Sequence, residues 1–296
     1  MNRTLYKTKA FQKGILSALF VWISIGMNAS TIHWITFINT EDPYVGTLDK
    51  NARSVLYECF INTVNSEVSQ YGYEYKFYDY YSGNFSPTEC ISCINNLKCV
   101  PTDIVVFYFI GHGFRLSENN TGSKYPYMFF DDNCNNCIPL SWVHQSLKDK
   151  GAQLTLTFAV CDNSYQGADC KPCINEVLLP SVAKHDANIS SNAHTESAIA
   201  SAFLGYGGDI VVCSASPGQH SWGGQTSLGS MDIFTYSLIT LFDNAKSENV
   251  LSWPLFLEGL SSQISSATKD SPVKSIQTPI YDFNLEQVQM PKKKNN

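Results

Sequence analysis

Short runs of apolar residues, rich in β-branched and aromatic side chains, recur along the chain and are separated by more polar segments. Each run has the length and composition of a buried β-strand, because such side chains pack well on a pleated surface. The segment 73–81 differs, since it alternates aromatic with polar residues and therefore favours an edge or half-exposed strand. The buried runs are 31–38, 103–110, 154–161 and 209–216.

Segments with the helical spacing of apolar positions lie between these predicted strands. Strands that alternate with helices pair in parallel, and their helices cover both faces of the sheet. The pattern therefore predicts an α/β three-layer sandwich, in which a short strand precedes the C-terminal tail. The predicted helices are 49–64, 138–147 with Ser141 as N-cap, 198–206, 231–242 and 253–264, and 90–99 is a short helix or a loop.

Two of the buried runs end in reactive side chains. The first ends at Gly111-His112-Gly113, and the second ends at Cys161. Working groups in such sheets lie at the carboxyl ends of the strands, so we expect His112 and Cys161 to be close together. A cysteine attacks as a thiolate, and a histidine is the commonest neighbour that takes its proton. The two strand ends therefore predict a Cys-His dyad.

The backbone at these strand ends offers a site for a developing negative charge. The amide of Gly113, together with the amide of Cys161 itself, would form an oxyanion hole with two donors. The alternative, purely structural interpretation is that Cys161 is a buried or disulfide-bonded thiol and that His112 is a loop residue. Cys213 is interpreted as a core residue, and His33 and His144 as structural histidines.

The two strand-end motifs and the spacing between them resemble those of the caspase-like cysteine peptidases, the group of the caspases, the metacaspases and many bacterial relatives. Weaker matches lie near residues 37–52, 214–223 and 229–236, so the resemblance spans 31–245. It implies a caspase-haemoglobinase fold with a six-stranded, mainly parallel sheet. It also implies a protein or peptide substrate, His112 as general acid and base, and Cys161 as the residue that forms the acyl-enzyme.

The residues around Cys161 depart from the family pattern. The caspase pattern Gln-Ala-Cys-x-Gly is replaced here by Ala-Val-Cys-Asp-Asn at 159–163. Metacaspase-like members place an aspartate two residues before the nucleophile, and His or Asn and then Ser after it. Alignment on Asn163 and Ser164 puts Asp162 at the nucleophile position. The chain is then either a Cys161-dependent endopeptidase or an inactive homologue that acts as a binding module.

The sequence says less about the substrate pocket and the cofactors than about the Cys-His dyad. Asp103, Asp162, Ser216 and Trp222 are the candidates for lining the pocket, and the cleavage specificity stays open. We expect no cofactor and no metal in the catalytic site. The pair Asp131-Asp132 is compatible with calcium binding, although two adjacent acids are more typical of a solvated turn.

Length, composition and charge limit the class of protein. A chain of 296 residues that is 44% hydrophobic suits a single large domain, which we place at 30–285. The net charge is −6, and the one dense basic run, Lys292–Lys294, falls in a predicted flexible tail at 286–296. A nucleic-acid partner is therefore not expected.

The N-terminal segment 1–29 has the pattern of a secretory signal peptide. Basic residues precede an apolar stretch at 14–25, which is too short for a comfortable membrane span. We therefore expect a secreted or periplasmic protein without a stable membrane span after removal of the signal. The alternative is an uncleaved anchor or a buried N-terminal helix.

The cysteine content also favours an oxidising compartment. The chain has 10 cysteines, and three pairs have C-x-x-C spacing: Cys90/Cys93, Cys134/Cys137 and Cys170/Cys173. Such pairs form disulfides in an exported protein, or they hold zinc, and a domain stapled in either way is a third interpretation of the chain. The long segment 162–194 is a candidate functional or processing loop.

Overall fold

A six-stranded sheet forms the centre of the molecule. The computed structural model describes residues 29–116, 122–130, 136–165, 176–178, 197–269 and 276–294. In chain order the strands are β1 (Thr31–Ile38), β2 (Glu74–Tyr81), β3 (Ile104–Ile110), β4 (His112–Phe114), β5 (Tyr127–Phe129), β6 (Ile138–Pro139), β7 (Leu154–Val160), β8 (Glu176–Leu178), β9 (Tyr206–Cys213), β10 (Gly223–Thr226), β11 (Gly229–Asp232) and β12 (Ile280–Gln287).

The order of strands in the central sheet is β12-β9-β7-β3-β1-β2. All neighbours pair in parallel except β12, which runs antiparallel to β9. The sheet therefore confirms the predicted six-stranded, mainly parallel arrangement. Two small sheets, β4-β5-β6 and β11-β10-β8, are formed by segments that follow β3, β7 and β9 in the chain.

In the described ranges, seven α-helices cover the sheet. A π-helical turn, Leu56–Ile61, joins the first two into one long element, as the apolar face predicted at 49–64 requires. The helices are α1 (Gly46–Val55), α2 (Asn62–Ser69), α3 (Pro87–Asn96), α4 (Leu140–Lys148), α5 (Ala198–Leu204), α6 (Ile233–Glu248) and α7 (Trp253–Lys269).

The core consists of two apolar layers, one on each face of the sheet. The larger layer packs α1, α2, α5, α6 and α7 against the sheet, and the smaller one packs α3 and α4. Strand β7 divides its side chains between them, because successive side chains in a strand point to opposite faces. Phe158 and Val160 face the larger layer, whereas Ala159 and Cys161 face the smaller one. The helices thus lie on both faces, which confirms the three-layer α/β fold.

Some element boundaries differ from the predicted ones. Ser141 is not an N-cap, because Ile138–Pro139 pairs with β5 and the helix begins at Leu140 behind Pro139. Strand β12 extends to Gln287, since it pairs with β9 along its whole length. The backbone amide of Lys294, in the predicted flexible tail, donates to the carbonyl of Gln70 at 2.9 Å.

The cysteines and the termini complete the description. Six cysteines of the described ranges are free thiols and form none of the predicted disulfides: Cys59, Cys90, Cys93, Cys99, Cys161 and Cys213. Residues 1–28, Asp131-Asp132, Cys134, Cys170, Cys173 and most of the loop 162–194 lie outside the described residues. Among the helices of the described ranges, none combines the length and the apolar character that a membrane crossing requires.

Candidate active site

His112 lies at the carboxyl edge of the sheet, where the chain leaves β3. The amide of Gly111 still bonds to the carbonyl of Val160 at 3.1 Å, so the sheet ladder continues to the residue before the histidine. The His112 ring then turns towards the loop between β1 and α1, where its Nε2 lies 2.8 Å from Oδ2 of Asp42. Both side chains are largely buried. The histidine predicted from the sequence is therefore held in place by a carboxylate.

Asp42 is itself fixed by the turn that leads into α1. Its Oδ1 accepts hydrogen bonds from the amides of Tyr44 and Val45, at 2.8 and 3.0 Å. Burial alone would raise the pKa of the Asp42 carboxyl, but the hydrogen bonds from His112, Val45 and Tyr44 outweigh it and lower the pKa to about 2. The carboxylate therefore orients His112 over the whole neutral range of pH.

Cys161 points away from this edge and into the smaller apolar layer. Its side chain packs behind Gly113, where a Cβ added to the glycine would lie 2.7 Å from the Cys161 Sγ. The residue is 1% exposed. Its amide, which the sequence predicted as an oxyanion-hole donor together with that of Gly113, donates to Oγ of Ser214 at 3.0 Å.

The surroundings of Cys161 also disfavour its ionisation. A contact with the Cys213 thiol, complete burial and the negative charge of Asp162 all raise the pKa of the Cys161 thiol well above its usual range. Cys213 is buried in the same apolar layer, as predicted. Cys161 thus has the properties of a buried core thiol rather than those of an activated nucleophile.

Asp162, unlike Cys161, shares a cavity with His112. Its Oδ1 accepts the amide of Ser221 at 2.5 Å, and its Oδ2 lies 3.3 Å from Nδ1 of His220. The hydrogen bond to Asp162 raises the pKa of His220 above its ordinary value, against the opposite effect of burial. Asp162 therefore joins the end of β7 to the loop that follows β9.

A small cavity of about 50 Å³ opens between these groups. Its lining includes His112, Asp162, Ser221 and Trp222, and also Val160, because Val160 and Asp162 share one side of the strand end. Cys161 is not among the described residues that line it. The cavity is large enough for a few water-sized groups or for the end of a side chain.

Two further carboxylates line the cavity, and the sequence interpretation did not identify them as site residues. Asp49 belongs to α1, and Asp232 is the N-cap of α6, where it accepts the Thr235 amide at 2.5 Å. In the described part of the chain, Oδ2 of Asp49 and Oδ2 of Asp232 have no hydrogen-bond partner. The cavity is therefore acidic, and two of its buried oxygens are free to accept.

Burial raises the pKa values of both carboxyls. Burial, with the nearby Asp232 and Asp42, raises the pKa of Asp49 well above its usual range. Burial raises the pKa of Asp232 to about 6, although hydrogen bonds at the start of α6 lower it in part. A cation that entered the cavity would favour the ionised form of both.

The candidate pocket residues divide into two groups. Asp162 and Trp222 line the cavity as predicted. Ser216 does not, because its Oγ donates to the carbonyl of Thr278 at 2.8 Å. Asp103 does not either, since it precedes β3 and therefore lies at the opposite edge of the sheet from His112. There it accepts the amide of Thr31 at 2.8 Å.

The sequence gives little reason to assign Asp42, Asp49 and Asp232 to the site. Asp49 falls at the start of a predicted helix, and Asp232 falls within another, so each is explained locally as a helix-terminus acid. They meet His112 only because α1 and α6 both begin at the carboxyl edge of the sheet. His220 stood in a polar loop without any strand-end signal.

Among the described residues, the group of three potential metal ligands whose donor atoms all lie within 4.8 Å of one another is His33, Cys99 and Asp103, at the other edge of the sheet. The calcium candidate Asp131-Asp132 falls outside the described residues. The carboxyl edge offers His112, held by Asp42, and His220, paired with Asp162, beside an acidic cavity.

Comparison with known proteins gives the family. No curated protein matches the chain. Among solved structures, the chain is similar to the crystal structure of protein GSU0716 from Geobacter sulfurreducens, with 11% sequence identity, coverage of 86% of this chain and 92% of that chain, and a TM-score of 0.46. The family model of the caspase domain matches residues 56–289, which is well over half of the chain. The chain therefore belongs to the caspase domain family.

Proposed function

We propose that this protein is a caspase-domain binding protein without a cysteine nucleophile, and that its acidic cavity receives a cationic side chain of a protein or peptide. One observation carries the proposal: at the end of β7, Asp162 lines the cavity beside His112, whereas Cys161 packs behind Gly113. Under this proposal Asp162 stands where family members with peptidase activity have their cysteine.

The state of the strand end argues against acyl transfer through Cys161. The thiol is buried, its pKa is raised, and its backbone amide is already bonded to Ser214. A thiolate is the reactive form, so a thiol in these surroundings is a poor nucleophile. Asp162 does not replace it, because both of its oxygens accept hydrogen bonds, from the Ser221 amide and from His220.

The charge of the cavity supports a cationic partner. Asp49, Asp162 and Asp232 all line it, and each is at most 7% exposed. Buried carboxylates are costly unless they are paired, and Oδ2 of Asp49 and of Asp232 have no partner within the described structure. An arginine or lysine side chain would supply both the charge and the missing donors.

The first test is peptide hydrolysis. A library of fluorogenic peptides is offered to the wild type, to Cys161→Ser and to His112→Ala. We expect no turnover from any of the three, because the cavity holds no ionisable thiol. Turnover by the wild type that is lost in Cys161→Ser would instead support a Cys161-dependent endopeptidase and would contradict the proposal.

The second test is binding. By calorimetry, a peptide with arginine is expected to bind at least about tenfold more tightly than the same peptide with the neutral isostere citrulline, since charge-assisted hydrogen bonds are lost. Asp232→Asn retains the N-cap of α6 but should remove most of that preference. Asp243→Asn, a change of the same type farther along α6, is the control and should leave it unchanged. Equal affinities for the two peptides would exclude the cationic partner.

A further inference from the structure

A second group of functional side chains lies at the amino edge of the sheet, opposite the acidic cavity. His33 lies in β1, Asp103 directly precedes β3, and Cys99 lies in the connection between α3 and β3. One ring nitrogen of His33, Sγ of Cys99 and one carboxylate oxygen of Asp103 all lie within 4.8 Å of one another. The three types of donor atom are those that zinc prefers.

Backbone contacts hold Asp103 in position. Its Oδ1 accepts the amide of Thr31 at 2.8 Å, and its Oδ2 accepts the amide of Val100 at 2.8 Å. The same Oδ2 lies 3.2 Å from Nε2 of His33. The carboxylate therefore links the start of β1, the start of β3 and the histidine, and a ligand at this point would find its donors already oriented.

His33 is almost completely buried, like the rest of β1. Its side chain is 2% exposed, and its Nδ1 has no hydrogen-bond partner among the described residues. The buried ring therefore has one nitrogen that the described protein does not satisfy.

A cavity of about 570 Å³ opens onto the three side chains, so an ion has a route to them. Its rim carries Glu74, which attracts a cation, and Lys76 and Lys98, which repel one. Burial and the charge of Asp103 raise the pKa of the Cys99 thiol to about 11, so a metal ion must displace the thiol proton. Calcium and magnesium, which take oxygen ligands, do not fit the sulfur and nitrogen donors.

We propose that His33, Cys99 and Asp103 bind one zinc ion. The fourth coordination position faces the cavity, where water or Glu74 completes a tetrahedron. The site ties the first strand of the sheet to the connection that enters β3. It is independent of the acidic cavity, and neither proposal depends on the other.

Metal analysis of the purified, fully reduced and metal-free protein tests this proposal. Equilibrium dialysis should give one zinc per chain, and one cobalt(II) per chain should produce a thiolate-to-metal charge-transfer band. Cys99→Ser should remove the band and weaken zinc binding by more than the ~10–100-fold that the loss of an outer-shell partner costs. Cys59→Ser, a half-buried thiol elsewhere in the molecule, is the control and should keep both.

Three outcomes would overturn the site. They are the absence of stoichiometric zinc binding by a folded wild type, a charge-transfer band that survives in Cys99→Ser, and an intact mass that shows Cys99 locked in a disulfide which forms again after reduction. Thermal unfolding adds a second measurement. Zinc should raise the melting temperature of the wild type and of Cys59→Ser, but not that of Cys99→Ser.

Discussion

Cys161 and Asp162 are neighbours in the chain, yet they face different surroundings. Cys161 continues the side of β7 that faces α3 and α4, whereas Asp162 shares a cavity with Val160 and His112. Successive side chains in a strand point to opposite faces of the sheet, so these two neighbours face different surroundings. The family pattern left both registers open, and the position of the strand end is the observation on which our proposal of Asp162 rests.

The ion pair of His220 with Asp162 gives a prediction at the scale of one residue. The raised pKa means that the pair stabilises the protein fully below the ordinary histidine value of 6.5, and that this stabilisation is lost as the pH rises through the higher folded value. Asp162→Asn should therefore lower the pKa of His220, as measured by NMR titration of its ring protons. A titration midpoint that is unchanged in the variant would contradict the assigned contact.

Asp42 gives a second prediction, with the opposite sign. Its pKa of about 2 lies below the ordinary 3.8, so its contribution is present above pH 3.8 and is lost as the pH falls through the folded value. The shift corresponds to at most about 2–3 kcal/mol. Asp42→Asn should lower the free energy of unfolding near pH 6, and the difference from the wild type should shrink towards pH 2. A difference that is constant with pH would show that the charge of Asp42 does not matter.

At the scale of elements, the sequence predicted most of the sheet but only half of the site. Strand β1 has the predicted bounds, and the order of strands and helices is as expected, because the apolar periodicity is local. The sequence did not predict the acidic cavity, because its carboxylates belong to two separate elements. Asp49 lies in the first turn of α1, and Asp232 lies at the start of α6. Local sequence explains each as a helix-terminus acid, and only the packing of both helices at one sheet edge brings them together.

The close contact between β4 and the end of β7 predicts that one methyl group added at Gly113 destabilises the protein. A Cβ at Gly113 would lie 2.5 Å from the Asp162 carbonyl oxygen and 2.7 Å from the Cys161 Sγ. Gly113→Ala should therefore cost about 1–3 kcal/mol of unfolding free energy in urea denaturation. Gly83→Ala is the control, since nothing lies within 4 Å of its added Cβ. Equal stabilities of the two variants would show that the packing behind Gly113 is loose.

The start of α6 makes cation binding depend on pH. Asp232 must be ionised to attract an arginine side chain, and its pKa is about 6. Affinity for an arginine peptide should therefore rise by about tenfold between pH 5 and pH 7, whereas a norleucine peptide should show little change. Asp232→Asn should flatten the profile. An affinity for the arginine peptide that falls as the pH rises would contradict the role of this carboxylate.

At the scale of the whole molecule, the two edges of the sheet carry different chemistry. The carboxyl edge has His112 and the acidic cavity, and the amino edge has the proposed zinc ligands. We propose that the protein is exported, although six cysteines of the described ranges are free thiols: Cys59, Cys90, Cys93, Cys99, Cys161 and Cys213. Zinc bound at the proposed site would protect the Cys99 thiol from oxidation.

The reactivity of the strand end towards a thiol-directed probe tests the central claim most directly. The probe is a peptide that ends in arginine and carries an alkylating group, and the labelled residue is identified by mass spectrometry. The account predicts that the wild type is not labelled at Cys161. It also predicts that Asp162→Cys is labelled at position 162, and more slowly when His112 is also replaced by alanine. Rapid labelling of Cys161 in the wild type, abolished in Cys161→Ser, would contradict it.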